Sequence, residues 1–146
     1  MSGIMSAMSE REIDFDKLAR KALDGATYGF MLEKDSVFFL HDSSQANLVS
    51  EAGTGRRFNY QALWPHDTVY IAGDFNGWQQ VQMAVAPRVF SQFGISIPIA
   101  TIKASNGQFK FVINGNLWVE PPDFATNVVA AGVGDPNSRN LVVVFD

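Results

Sequence analysis

Val69-Tyr70-Ile71-Ala72-Gly73-Asp74-Phe75-Asn76-Gly77-Trp78 is the stretch whose reading decides the fold. Its short apolar run, Val69 to Ala72, predicts a strand. Asn76-Gly77 predicts a turn, because both residues tolerate positive φ. Asp74 is expected to bond backbone in that turn. Trp78 follows a polar turn, where a fully buried indole is less expected. That leaves two readings for it: a flat exposed platform, or a ring packed on its own hairpin.

Working outward, the same period-two signal recurs. Phe93, Ile95 and Ile97 alternate with Gly94 and Ser96. Asn106-Gly107 marks a turn, and Gln108–Ile113 a strand, with Phe109, Phe111 and Ile113 on one side and Lys110 and Val112 on the other. Asn114-Gly115-Asn116 turns the chain again, and Leu141–Phe145 reads as a terminal strand. Upstream, Phe58, Tyr60, Ala62 and Trp64 share one face of a strand, which makes Trp64 a core residue, and Pro65-His66-Asp67 a turn. Tyr28–Leu32 and Val37–Leu40 read as a hairpin around Glu33-Lys34-Asp35-Ser36. Val37–Asp42 competes with Phe58–Trp64 as the first sandwich strand, and residues 42–56, rich in Ser, Gly and Asn, read as a loop or linker.

One helix is expected. Ser9 and Glu12 form a capping box, followed by Ile13, Phe15, Leu18, Ala19, Ala22 and Leu23 near helical spacing, with Gly25 to end it. Many short strands with frequent turns and no helix between them imply a sandwich or barrel. The expected organisation is a disordered tail over 1–9, a helix plus β-hairpin extension over 10–55, and a β-sandwich over 56–146.

Composition narrows the function. The 146 residues suffice for one domain with its own core. There is no cysteine, so disulfides and thiolate metal sites are excluded. The net charge is −4 and no basic run occurs, which argues against nucleic acid. The first residues lack the basic start and apolar run of a secretory signal, and no stretch has the length of a membrane span. The expectation is a soluble, cytoplasmic protein without a cofactor.

Catalytic patterns are poor. His41 and His66 are the only histidines, and neither sits in a His-Glu-x-x-His arrangement. There is no Gly-x-Ser-x-Gly elbow and no phosphate-binding glycine loop. Glu120 and Asp123 flank Pro121-Pro122 and are weighed as a carboxylate pair; surface-loop residues are the simpler reading. The expectation is a protein that is not an enzyme.

Four segments in order carry a resemblance. Gly73-Asp74-Phe75-Asn76-Gly77-Trp78 looks like the Gly-Asp/Ser-Phe-Asn-x-Trp segment of carbohydrate-binding module family 48, the glycogen-binding domains. These occur in beta subunits of AMP-activated protein kinase and before the catalytic domains of branching enzymes. Gln108-Phe109-Lys110-Phe111-Val112-Ile113-Asn114-Gly115 resembles the family's Tyr-Lys-Phe-x-Val-Asp-Gly strand and turn. Trp118 with Glu120-Pro121 resembles its Trp followed by Asp-Pro, and Asn137 to Val142 its Asn-containing last strand. The resemblance covers residues 56–146.

It implies an all-β, immunoglobulin-like (early-set) sandwich that grips α-glucans. Two Trp stack on glucose rings, while a Lys and an Asn bond hydroxyls. By position the implied site residues are Trp78, Trp118, Lys110 and either Asn137 or Asn140. One departure bears on the second platform. The family's Gly-x-Trp appears here as Gly115-Asn116-Leu117-Trp118, one residue longer. A shift of one in an extended segment flips the side chain to the other face, so Leu117 and Trp118 compete for the platform position.

The expected function is a non-catalytic module that binds α-glucan polysaccharide or malto-oligosaccharide. The alternative is a protein-interaction or scaffold sandwich that has lost sugar binding. In that case residues 10–40 dock a protein partner or a second copy.

Overall fold

The computed structural model describes residues 27–43, 46–61, 67–86, 92–122, 124–130 and 139–145. The expected helix over 10–24, the tail before it, Trp64 and Asn137 lie outside the described residues.

The segments that read as strands from Val69 through Ile113 do form strands, whereas the terminal strand expected over Leu141–Phe145 is shifted to Arg139–Val142, with residues 143–145 outside it. β5 (Val69–Gly73) precedes a single 3-10 turn, Asp74–Asn76. β9 (Gln108–Ile113) lies between β8 (Gln92–Pro98) and β10 (Leu117–Val119). Short strands β6 (Val81–Gln82), β7 (Ala84–Val85), β11 (Val128–Ala130) and β12 (Arg139–Val142) complete this half. Before it come β1 (Phe30–Leu32), β2 (Ser36–Asp42), β3 (Asn47–Glu51) and β4 (Arg57–Tyr60). A five-residue helix, α1 (Ile99–Lys103), follows β8.

β9 is the hub of the larger sheet. One edge pairs with β5, from Phe109 opposite Gly73 to Ile113 opposite Val69. Its other edge is shared: the first half takes β12, with Phe109 opposite Leu141, and the second half takes β10, with Val112 opposite Trp118. β11 pairs with β12, β6 with β5, and the β3–β4 hairpin extends the sheet past β10. The smaller sheet runs β1-β2-β8-β7. Among the described residues every pairing is antiparallel.

The two sheets close on one apolar core. Phe39 of β2 meets Phe109 of β9 edge-on, with ring centroids 4.8 Å apart. Phe109 in turn meets Phe111 at 5.6 Å and Phe30 at 6.4 Å. Val37, Val49, Ile71, Ile113 and Leu141 fill the space around them. The architecture is an all-β sandwich of two antiparallel sheets.

Two readings of the sequence change. Residues 42–56 do not form a linker: Asn47–Glu51 is strand β3, with Val49 fully buried. Polar Ser50 and Glu51 masked a strand that has only one core-facing residue, flanked by Gly-rich turns. Val37–Asp42, the competing first strand, spans the middle of the smaller sheet, paired with β8 from Ser36–Pro98 to Asp42–Gln92. Phe38 and Leu40 are buried as well as Val37 and Phe39. A strand covered on both faces reads as a continuous apolar run instead of an alternation. Residues 30–51 thus supply strands to both sheets.

Candidate carbohydrate-binding site

The loop after β5 is built around Gly73. A Cβ there would collide with the Phe75 ring and lie 2.6 Å from the Gln108 carbonyl oxygen. Only glycine lets the Phe75 ring fold back, where it stacks 6.1 Å from Phe39. Asn76 pins the turn: its Oδ1 accepts from the Gly73 amide at 3.3 Å, and its Nδ2 donates to the Gln79 carbonyl at 2.9 Å. Asp74 bonds backbone, but across the sheet: its Oδ1 accepts from the Gln108 amide at 3.1 Å.

This loop delivers Trp78 in an uncommon way. Gly77 and Trp78 both have positive φ, 70° and 64°. For a bulky residue that conformation costs on the order of 1 kcal/mol or more. The Trp78 amide closes the loop onto the Gly73 carbonyl at 2.7 Å, and the indole stays half-buried.

The question of Trp118 is answered by the turn before it. Asn114 and Gly115 have φ of 54° and 81°, and the Asn116 amide donates to the Ile113 carbonyl at 3.2 Å. Residues 114–116 form a three-residue turn, which absorbs the extra position. Leu117 then pairs with Ile113, and Trp118 with Val112. Ile113 faces the core, so Leu117 does too and is only 7% exposed. Residues opposite one another in an antiparallel pair share a face. Trp118 therefore projects with Val112 and Lys110 from the outer face, half-buried.

Asn140 lies on β12 and is 7% exposed; its Nδ2 donates to Gln108 Oε1 at 2.9 Å. Trp78, Lys110, Trp118 and Asn140 line one open depression of about 450 Å³. Asp74, Asn106 and Gln108 complete its wall. The sequence reading did not assign these three. Gln108 was legible in principle, since it alternates with Lys110 along β9.

The electrostatics beside Trp118 centre on Glu120. Arg57 grips its carboxylate with a fork, Nε to Oε2 at 2.7 Å and Nη2 to Oε1 at 2.8 Å. Ser50 Oγ donates to Oε2 at 2.7 Å. Burial alone would raise the Glu120 pKa. The bonds from Arg57 and Ser50, with the charges of Arg57 and Lys110, outweigh it and hold the carboxyl below its usual range. A general acid in glycoside hydrolysis needs the opposite shift, and Asp123 lies outside the described residues.

Among the described residues no group of three or more acidic or His side chains could hold a metal ion. No helix among them is long and apolar enough to cross a membrane.

The depression offers two indole surfaces for apolar C–H faces, and an ammonium and amides for hydroxyls. No family model matches the chain, and neither does any curated protein or solved structure.

Proposed function

We propose that this chain is a non-catalytic α-glucan-binding module with an immunoglobulin-like sandwich. The observation that carries the reading is that Trp78 and Trp118, half-exposed and 40 residues apart in sequence, line the same open depression as Lys110 and Asn140. A pyranose presents a face of C–H bonds and a rim of hydroxyls. Indole covers the face; Lys110 and the amide groups serve the rim. The strained backbone at Trp78 supports the same reading. Sparsely populated conformations persist where the surroundings over-determine them, and they cluster at ligand sites.

An open, shallow site with two stacking rings binds a short sugar weakly, in roughly the micromolar to millimolar range. A branched polymer compensates by presenting many copies of the ligand. Affinity electrophoresis through gels containing amylopectin or glycogen tests the reading. The wild-type chain is expected to be retarded, and Trp78→Ala to be retarded markedly less. Absence of retardation, together with no response to maltoheptaose, would overturn it.

A further inference from the structure

The outer face does not stop at Trp118. Trp118 lies directly opposite Ser50 on β3, and Ser50 opposite Arg57 on β4. Paired residues share a face, so Ser50 and Arg57 project on the same side as Trp118. Leu48 and Asn59 form the next pair on that face, and both are exposed. Neighbouring strands are spaced at about 4.8 Å, which places Arg57 roughly 10 Å beyond Trp118.

Arg57 is held in place and still faces solvent. Its fork to Glu120 fixes the guanidinium plane. The Arg57 side chain is 45% exposed, whereas that of Glu120 is 5% exposed. A positioned planar donor beside an exposed amide and an exposed Leu suits a ligand with both hydroxyls and C–H faces.

We propose that the β3–β4 hairpin supplies a further sugar subsite beyond Trp118. Arg57 and Asn59 serve the hydroxyls, and Leu48 lies under a ring. The inference rests on the α-glucan reading and specifies its ligand: a malto-oligosaccharide long enough to run across the strands past Trp118, in preference to a short one.

Calorimetric titration of the full chain with maltotriose and with maltoheptaose tests this. The wild-type chain is expected to bind maltoheptaose more tightly. Arg57→Gln and Asn59→Ala are each expected to weaken maltoheptaose about threefold to tenfold and leave maltotriose within about twofold, the size of one lost hydrogen bond. Asn59→Ala leaves the Arg57–Glu120 pair intact, so it reports on the subsite even if Arg57→Gln loosens the hairpin. Unchanged preference for the longer sugar in Asn59→Ala, or equal weakening of both sugars, would overturn the subsite and leave the α-glucan reading standing. Wild-type chain that binds neither sugar overturns both.

Discussion

Trp118 stands directly across the β9–β10 pair from Val112, and that register sets which of two adjacent residues faces outward from the sheet. Leu117 takes the core side opposite Ile113. Deleting Asn116 shortens the turn by one residue and drives the strand to re-register. The deletion is expected to abolish retardation on amylopectin and to lower the urea midpoint, because Trp118 would be forced toward a core space shaped for Leu117. Retardation equal to wild type would show that the platform does not depend on this register.

Trp78 and Trp118 are expected to contribute comparably. Single Ala substitutions should each weaken maltoheptaose binding about tenfold, combining lost area with an aromatic stacking contribution of about 1 kcal/mol. Indole fluorescence of the wild-type chain and of each variant during titration separates the two rings. A change on sugar addition should survive in each single variant and vanish in the double variant.

The backbone at Trp78 permits a test that is independent of ligand. At φ 64° a Cβ is penalised and glycine is not. Trp78→Gly is therefore expected to be more stable than Trp78→Ala by about 1 kcal/mol in urea unfolding, with glucan binding weakened to a similar extent in both. In an ordinary strand or helix the order would be reversed.

Gly73 is a position with no room. Gly73→Ala sets a methyl against the Phe75 ring and the Gln108 carbonyl. The expected loss is about 1–3 kcal/mol, the usual range for overpacking. Because Phe75 would be displaced from Phe39, the same variant is expected to weaken glucan retention by shifting the loop that carries Trp78. A stable, fully binding Gly73→Ala would contradict the close packing.

His41 is expected to make stability depend on pH. It is fully buried, its ring lies 5.1 Å from Phe111, and neither nitrogen has a hydrogen-bond partner among the described residues. Burial lowers its pKa from 6.5 to about 4, against the opposing charge of Asp42. The folded chain thus binds this proton less readily than the unfolded chain. The His41 contribution to stability is therefore expected to be full above pH 6.5, to fall as pH drops toward 4 and to level off below, a loss on the order of 3 kcal/mol. His41→Leu is expected to remove that slope from a plot of urea midpoint against pH. A slope that persists over the same window would assign it to other groups.

Much of this was legible in local sequence. Alternation along Gln108–Ile113 separates Phe109, Phe111 and Ile113 from Lys110, as the structure has them. Asn76-Gly77, Asn106-Gly107 and Asn114-Gly115 mark turns because their residues accept positive φ, and Gly77, Gly107, Asn114 and Gly115 all adopt it. These are properties of a residue and its neighbours, so the chain alone states them.

What the chain alone left open depends on pairing between distant segments. Leu117 and Trp118 are both plausible platform residues until β10 is set against β9, because period two defines two faces without saying which one meets the core. β3 shows only one core-facing apolar residue, Val49, and becomes a strand by pairing with β4 and β10. The approach of Asn140 to Gln108, and of Arg57 to Glu120, joins residues 32 and 63 positions apart. Hydrogen-bond register between strands decides such contacts, and register is a property of the folded sheet.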